Sequence, residues 1–295
     1  MASRLSVRST EPAGLVLPPR LVWEETVRRG LAEDLGQAGD LTTDAIVPPN
    51  ATARGRLIAR QAGCVAGIGV AAVAFELLDP AVRFEAALPD GARVRADATL
   101  ATVEGSARAL LTGERVALNL LGRLSGIATA TRLLVDTAGG PPPWIVCTRK
   151  TTPGLRALEK YAVRAGGGAN HRFGLDDAVL IKDNHVALAG GVREAIDRVR
   201  RHVGHLVEVE VEVDDLDQLR EALAAGAEAV LLDNMELAAL RAAVDLCRGR
   251  ALTEASGGIR PETVAAVAAT GVDLISVGWL THSAPALDVA MELDR

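Results

Sequence analysis

The chain has 295 residues, which is long enough for one large or two ordinary domains with a substantial core. Apolar residues make up 49% and charged residues 24%, a balance that is globular rather than disordered. Aromatic residues are only 2% and the net charge is −6, which argues against a nucleic-acid binder, so an anionic ligand would need a local basic cluster.

The amino-terminal part predicts a small α+β unit. Residues 1–19 read as a loose arm, and apolar spacing predicts a helix over 21–35 that Gly36 ends. "GDLTTDAIVPP" then reads as a polar loop. Residues 51–60 alternate like a strand, residues 69–78 predict a helix, and "PDG" and "ATLATVEG" indicate a turn between strands and another short strand.

The chain carries no feature of a secreted or membrane protein. The cysteines are few and widely spaced, which suggests a reducing compartment and neither a disulfide framework nor a zinc site. Cys147 lies in an apolar run and is interpreted as core rather than as a nucleophile. The longest apolar run, 63–78, is shorter than the roughly 20 residues of a membrane span. A cytoplasmic protein without a membrane partner is expected.

The carboxyl-terminal part alternates strands with helices. After a long helix over 107–135, apolar strand-like runs appear in the order "WIVCTRK", "AVLIKDNH", "LVEVEVEV", "AVLLDN", "ALTEASGG" and "DLISVGWL". Helices begin between them near Leu155, Val192, Leu216, Leu237 and Glu262. This alternation predicts parallel strands wrapped by helices, either an open doubly wound sheet or, as favoured here, a barrel-like closure.

Polar or glycine residues stand at the carboxyl end of each of these runs. In order along the chain they are Arg149 and Lys150, Lys182, Glu212, Asp233, Ser256 with Gly257 and Gly258, and Gly278. Since the reacting groups of β/α barrels gather at the carboxyl ends of the strands, this face is the candidate active site.

The stretch "HLVEVEVEVDD" places Glu208, Glu210 and Glu212 on one side of a strand and the valines on the other. Inside a barrel, the glutamates would face the interior and would need cationic partners, for which Lys150 and Lys182 are the candidates. The alternative is a solvated edge strand with three exposed glutamates.

Two glycine-rich turns follow the last two strands, in "EASGGIRPE" and "SVGWLTHS". Free backbone N–H groups before a helix suit a phosphate, although such glycines can also be simple turns. "GIGVAA" at 67–72 is a weak dinucleotide motif, because no clean strand precedes it.

Basic residues gather in "CTRKTTPGLRALEKYAVRAGGGANHRFGLDDAVLIKDNH", and arginine and lysine there suit carboxylates and phosphates. Arg115 stands apart from this cluster. Its spacing from Leu111 and Leu118 puts it on an apolar face of the long helix, either as a snorkelling side chain or as a group delivered to an anionic site or subunit interface.

The motifs "TRKTTPGLRALEKYAV", "GGGANHRFGLDDAVLIKDNH", "VEVEV", "AVLLDN", "EASGGI" and "SVGWLTHSAPALD" resemble, in order and spacing, those of the quinolinate phosphoribosyltransferases, the decarboxylating nicotinate-nucleotide pyrophosphorylases. The resemblance covers about residues 20–295. It implies an incomplete β/α barrel of six or seven strands beside an amino-terminal α/β sandwich domain, with domains at 1–125 and 126–281 and a carboxyl-terminal segment at 282–295. It also implies a homodimer or higher homo-oligomer with shared active sites.

Carried onto this chain, the family pattern implies a role for each matching residue. The residues expected around the pyridine dicarboxylate are Arg115 from a neighbouring subunit, Arg149, Lys150, His171, Arg172 and Lys182. Glu212 and Asp233 would lie near the ribose hydroxyls and the Mg²⁺ of phosphoribosyl pyrophosphate, touching the metal through substrate and water. The residues expected at the phosphates are Ser256, Gly257, Gly258, Gly278, Trp279 and Leu280.

The resemblance implies a pentosyltransferase that joins quinolinate to phosphoribosyl pyrophosphate and releases CO₂ and pyrophosphate. Lys150, Lys182, Glu212 and Asp233 would be catalytic, with Mg²⁺ and no organic cofactor. Competing hypotheses are a relative acting in molybdate transport or on nicotinate, a Schiff-base lyase or epimerase on the same fold, and a sugar-phosphate sensor without turnover.

Overall fold

The structure, a computed structural model, describes residues 14–294. The predicted arm therefore lies largely outside the described residues. The helices are α1 (Arg20–Leu35), α2 (Leu41–Ile46), α3 (Ile68–Glu76), α4 (Ala107–Thr137), α5 (Arg156–Ala165), α6 (Asp183–Ala189), α7 (Val192–His202), α8 (Leu216–Ala224), α9 (Leu237–Cys247), α10 (Pro261–Ala268) and α11 (Trp279–His282). The strands are β1 (Thr52–Ala59), β2 (Gly63–Cys64), β3 (Arg83–Ala86), β4 (Arg93–Val94), β5 (Ala98–Ser106), β6 (Trp144–Val146), β7 (Val179–Ile181), β8 (Val209–Val213), β9 (Ala229–Asp233), β10 (Leu252–Ser256), β11 (Leu274–Ser276) and β12 (Val289–Leu293).

The first compact unit, described over 14–132, 151–167 and 279–294, contains an antiparallel sheet of order β12-β1-β5-β3. Strand β1 is central and pairs with both β5 and β12. The sequence did not predict β12, because "VAMEL" is too short to show a strand pattern by itself. In the core of this unit the rings of Phe75 and Phe84 stack with centroids 6.2 Å apart.

Two glycines of α4 let the carboxyl-terminal segment of the same unit approach the helix backbone. A Cβ on Gly126 would lie 2.0 Å from the Pro285 carbonyl oxygen, and one on Gly122 would lie 2.9 Å from that of Leu287. The Leu287 N–H donates to the Gly122 carbonyl at 2.9 Å. Any larger residue at either glycine would push this segment away from α4.

The prediction of a polar loop after Gly36 is wrong for residues 41–46, which form α2. The Asp40 side chain caps this helix by accepting a hydrogen bond from the Thr43 N–H at 2.9 Å. Its other carboxylate oxygen accepts from the Thr112 hydroxyl of α4 at 3.0 Å. A contact with a distant helix therefore stabilises this six-residue segment, which is too short and too polar to be predicted as a helix.

Neither alternative for Arg115, a snorkelling side chain or a group delivered to another site, is decided by the described residues of one chain. Arg115 is exposed, whereas Val116, Ala117 and Leu118 are buried. Thr112 and Asn119 lie at helical spacing from it on one side and Leu111 and Leu118 on the other, so Arg115 borders a polar stripe along α4.

The second compact unit, described over 133–150 and 168–278, contains a parallel sheet of order β6-β11-β10-β9-β8-β7. No hydrogen-bonded ladder joins the edge strands β6 and β7 in the described chain; a single parallel bridge joins Val146 to Ala169 instead. The predicted incomplete barrel is therefore confirmed, with six strands. Buried Val211, Val213 and Val230 alternate along β8 and β9 with the polar positions described below.

Several predicted strands are shorter in the structure. Strand β6 ends at Val146 and β7 at Ile181, so Arg149 and Lys150 lie in the loop after β6 and Lys182 directly follows β7. The residues after Lys182 form α6, which the sequence did not predict as a separate helix. The predicted domain bounds at 125 and 281 stay predictions, because the compact units of the structure each combine several separate segments of the chain. Across residues 14–294, no helix is both long and apolar enough to cross a membrane.

Candidate active site

Strand register brings the polar side chains of the parallel sheet to one face. Glu212 pairs with Leu231, and Leu231 pairs in turn with Glu254. Two residues further along the same strands, Asp233 pairs with Ser256. Because side chains alternate faces along a strand, Glu210, Glu212, Asp233, Glu254 and Ser256 share the same side of the sheet. This face is where the acids cluster.

The glutamate-rich strand is inside the unit and is not a solvated edge. Glu210 is buried and Glu212 is half-buried, but Glu208 lies before β8 and is exposed, so the prediction of three inward glutamates is wrong for that residue. Lys182 forms an ion pair with Glu212, which confirms one predicted cationic partner. Glu210 is met by His171 rather than by a lysine.

Arg149 and Arg172 form a pair of like charges. The Nε of Arg149 is buried and has no hydrogen-bond partner within the described part of the chain. Burial, and after it the charge of Arg149, lowers the pKa of Arg172 below its ordinary value. Arg172 Nη1 donates to the Ala178 carbonyl at 3.2 Å, which orients its guanidinium. Two guanidinium groups whose charges act on each other repel, and a bound anion would relieve that repulsion, so this arrangement suits an anionic ligand.

His171, directly before Arg172 in the sequence, lies together with two glutamates. His171 Nε2 is 2.9 Å from Glu210 Oε2 and 3.7 Å from Glu254 Oε2. Burial, and after it the charge of Glu210, raises the pKa of Glu254 to about 8. Glu254 was not predicted as a site residue, although an acid inside the apolar run "ALTEAS" was a usable signal.

The turn after β10 is built against the end of β9. The Asn234 N–H donates to the Ser256 carbonyl at 2.9 Å, and Asn234 Nδ2 donates to Asp233 Oδ2 at 2.8 Å. Gly257 and Gly258 have φ of +97° and +61°, a conformation that glycine adopts without strain. A Cβ on Gly257 would lie 2.1 Å from Asn234 Oδ1, so close approach requires glycine here.

The remaining predicted residues are distributed between the two compact units. Lys150 is exposed in the loop after β6, and Gly278 is half-buried just beyond β11. Trp279 and Leu280 open α11 in the other unit, which also holds Arg115 on α4. Cys147 is buried and its thiol lies 3.3 Å from Asn170 Oδ1, so the prediction that it is a core residue is confirmed.

A cavity of about 470 Å³ lies at the opposite, amino-terminal ends of β10 and β11. Its lining includes Arg241, Arg248 and Arg250 together with Asp245 and Asp273. Asp245 pairs with Arg248, and Asp273 accepts from Thr253 at 2.8 Å, so these acids are engaged locally. The cavity is separate from the acidic face described above.

Two family models match most of the chain. One is described as "Quinolinate phosphoribosyl transferase, N-terminal domain" and matches residues 40–125. The other, "Quinolinate phosphoribosyl transferase, C-terminal domain", matches residues 127–292.

Curated proteins and solved structures are similar over nearly the full length. A probable nicotinate-nucleotide pyrophosphorylase [carboxylating] of Bacillus subtilis is 46% identical over 88% of this chain and 90% of its own length. The nicotinate-nucleotide pyrophosphorylase [carboxylating] of Mycobacterium leprae is 46% identical over 91% of this chain and 96% of its own. The crystal structure of NadC from Streptococcus pyogenes is 42% identical, covers 94% of this chain and 98% of its own, and has a TM-score of 0.90.

Proposed function

The chain belongs to the quinolinate phosphoribosyl transferase family, and on that premise we propose that it converts quinolinate and phosphoribosyl pyrophosphate into nicotinate mononucleotide, pyrophosphate and CO₂. This reaction is a step of de novo NAD biosynthesis. The names of relatives that are 39–46% identical support the activity. The polar face of the parallel sheet supports the chemistry.

The observation that carries this proposal is the Arg149–Arg172 pair. The buried Nε of Arg149 has no partner among residues 14–294, and the charge of Arg149 acts on a second guanidinium, which is costly unless an anion binds there. Quinolinate carries two carboxylates, and arginine binds carboxylates with two parallel hydrogen bonds. Lys150 and Lys182 would add positive charge, and we infer that Arg115 adds another cation from a neighbouring chain.

The sugar would be held on the acid side of the face. Glu212, oriented by Lys182, and Asp233, oriented by Asn234, would accept hydrogen bonds from the ribose hydroxyls. Their negative charges would favour the positive charge that develops at C1 as pyrophosphate departs. Binding both substrates in line reduces the entropic cost of their reaction.

Mg²⁺ fits this donor set. Carboxylate oxygens are its preferred ligands in proteins, and it usually keeps several waters while bridging substrate phosphates. Glu212 already accepts from Lys182, so these acids suit contact through substrate and water better than a closed cage. When bound, Mg²⁺ would draw charge onto the departing pyrophosphate.

The phosphates would meet the glycine turns. Ser256, Gly257 and Gly258 lead into α10, and Gly278 leads through Trp279 and Leu280 into α11. Backbone N–H groups in such turns suit phosphate oxygens. We infer that Trp279 contributes its backbone rather than its ring.

The chemistry then follows in two parts. The ring nitrogen bonds to C1 as the bond from C1 to pyrophosphate breaks. The pyridinium that results accepts the electron pair of the adjacent carbon–carboxylate bond, CO₂ leaves, and a proton replaces it at that carbon. The chain's role is to orient the ring and hold the charges; no organic cofactor is required.

We further infer a homodimer or larger homo-oligomer with shared active sites, and a cytoplasmic location. An exposed arginine beside the polar stripe of α4 supports the first inference, because family resemblance assigns Arg115 to a neighbouring chain's site.

The test is incubation with quinolinate, phosphoribosyl pyrophosphate and Mg²⁺, followed by detection of nicotinate mononucleotide and CO₂ in equal amounts. Nucleotide formed from nicotinate without CO₂ would instead make the chain a nicotinate transferase. Borohydride trapping of a carbonyl substrate on Lys150 or Lys182 would indicate Schiff-base chemistry. Binding of phosphoribosyl pyrophosphate without turnover would indicate a sensor.

A further inference from the structure

His171, Glu210 and Glu254 form a buried cluster, called here the His171 triad, that the proposed reaction does not use directly. One ligand atom from each lies within 4.8 Å of the other two. Glu210 comes from β8 and Glu254 from β10, two strands apart in the sheet. His171 lies two residues after the bridging residue Ala169, and its Nε2 approaches a glutamate of each strand.

Hydrogen bonds determine which ring nitrogen of His171 carries the proton. The Arg172 N–H donates to His171 Nδ1 at 2.8 Å, so Nδ1 must be the unprotonated acceptor. Nε2 then carries the proton and donates to Glu210 Oε2 at 2.9 Å. In a doubly protonated ring, Nδ1–H and the Arg172 N–H would be two donors pointing at each other, which is unfavourable. We therefore infer a neutral ring. Both nitrogens are occupied within the protein, and neither is left to donate to a carboxylate ligand.

Glu254 supports the triad from the far side as an uncharged group. Its side chain is 2% exposed, and its two oxygens have no hydrogen-bond partner in the described part of the chain. Two ionised glutamates this close in a buried site would repel each other strongly. Of the groups facing Glu254, the charge of Glu210 raises its pKa, whereas His171 and the Ser276 hydroxyl of β11 act in the opposite direction and are outweighed. A retained proton removes the repulsion, in line with a pKa raised to about 8.

A bound divalent cation could also neutralise the two glutamates, but the surroundings disfavour it. The charges of Glu210 and of Arg149 both act on Arg172, so positive charge is already close to the triad. A divalent cation bound by the triad would be repelled by these two guanidinium groups.

We propose that the His171 triad is a positioning unit: Glu210 and Glu254 lock the imidazole, and the imidazole holds the Arg172 backbone so that its guanidinium faces the anionic ligand. His171 then acts through Arg172 and donates no hydrogen bond to substrate. This rests on the proposed function for the identity of the ligand, quinolinate, but the ring state itself does not depend on it.

The ring state is tested first, without any assay of activity. The protein contains five histidines, and His171→Gln identifies the signals of His171 in a ¹⁵N NMR spectrum of the ring nitrogens. We expect a neutral ring with the proton on Nε2 from pH 6 to 8, unchanged when quinolinate is added. A proton on Nδ1, a charged ring, or a tautomer that changes with quinolinate would overturn the proposal.

Kinetics then test the positioning role. Glu210→Leu removes the acceptor for Nε2–H and should raise KM for quinolinate about tenfold, the usual effect of losing one hydrogen bond to a charged group. The KM for phosphoribosyl pyrophosphate should change less than about twofold. Glu210→Gln keeps an acceptor oxygen and should restore the quinolinate KM to within about threefold of wild type. Equal changes in both KM values would mean that Glu210 supports the fold in general and does not act on quinolinate binding through Arg172, which would overturn the proposal.

Glu254 is tested through stability, with Glu208→Gln as the matched control on an exposed glutamate two residues from Glu210. Glu254→Gln stays neutral at every pH. In the folded protein Glu254 keeps its proton to about pH 8, whereas in the unfolded chain it loses that proton near pH 5. The wild-type protein therefore becomes less stable as pH rises from about 5 to 8, and the advantage of Glu254→Gln in Tm should grow over that range.

Stoichiometric Zn²⁺ or Mn²⁺ in the purified protein, lost in the Glu254→Gln variant, would show a metal site and overturn the proposal. If the wild type makes no nucleotide but the ring state holds, the proposed function fails and the triad geometry stands.

Discussion

At the scale of single residues, Lys182 and Glu212 show how an inward acid of the parallel sheet is balanced. Glu212 is half-buried on the interior face, and the Lys182 ammonium reaches it from the end of β7. A partly buried carboxylate needs a cation, and the residue directly after the neighbouring strand is the nearest place from which a lysine can supply one. The pair can therefore orient Glu212 without closing the face to a ligand.

Lys182→Ala should lower turnover by at least about 100-fold, as removal of one positioned charge from an active site commonly does. Folding should be retained within about 1 kcal/mol, because the Lys182 side chain is 46% exposed and exposed ion pairs contribute little. Steady-state kinetics and urea unfolding measure the two effects. Arg198→Ala, which breaks an exposed pair with Glu194, is the control and should leave turnover unchanged. A Lys182 variant with normal kcat/KM would remove that lysine from the site.

Gly257→Ala tests the close approach of the two turns at the end of β9 and β10. The new Cβ would meet Asn234, forcing that side chain away from Asp233. We expect a loss of about 1–3 kcal/mol in stability, typical of overpacking, together with a higher KM for phosphoribosyl pyrophosphate. Gly258→Ala, where nothing lies within 4 Å of the new Cβ, should have the smaller effect. Equal effects of the two substitutions would make backbone strain, not contact with Asn234, the reason for glycine.

At the scale of elements, α2 shows where a local pattern is insufficient. Its six residues carry no apolar period, and only Thr43 among them is buried. The helix is stabilised by the Asp40 cap and by the contacts that Asp44 and Asp40 make with Arg108 and Thr112 of α4. A sequence pattern reports local propensity, so a helix stabilised by a distant partner is read as a loop.

Asp40→Ala should destabilise the protein by about 1 kcal/mol, the usual cost of losing an amino-terminal cap. Hydrogen bonds from Thr43 lower the pKa of Asp40. The stabilisation is therefore complete above the ordinary carboxyl pKa and is lost as pH falls through the lowered value. Urea unfolding at pH 7 and at pH 3 measures it: the difference between wild type and variant should be present at the first and smaller at the second. A difference that grows at acid pH would contradict this assignment.

At the scale of the whole molecule, we propose that active sites are shared between chains, so that one chain alone does not form a complete site. Arg115 is exposed beside the polar stripe of α4, and the dianionic ligand calls for cations beyond Arg149 and Arg172. If a neighbouring chain supplies Arg115, each site depends on two copies of the chain.

Arg115→Ala and Lys182→Ala should each be inactive, yet mixing them should restore activity. Random exchange in a symmetric dimer would rebuild about a quarter of the sites, because each mixed dimer has one intact site. The measurement is turnover after co-refolding, with each variant refolded alone as the control. Mixtures no more active than the separate variants would mean that Arg115 serves its own chain or none.

The sequence by itself determined the class of the fold and the residue types at its reactive face. Alternating strand and helix patterns predicted the parallel sheet, and charged or glycine residues at the strand ends predicted the face, because both depend on residues close together along the chain. The pairing of Lys182 with Glu212 could also be anticipated, since adjacent strands bring them together.

Only the tertiary structure decided which partners meet across longer distances. It joined His171 to Glu210 and Glu254, placed Asn234 against Gly257, and left Arg115 exposed. Each of these depends on strand order, register or a close approach between segments far apart in sequence, and a local pattern carries no information about such distances. Periodicity reports which side a residue faces; the register of neighbouring strands reports what it faces.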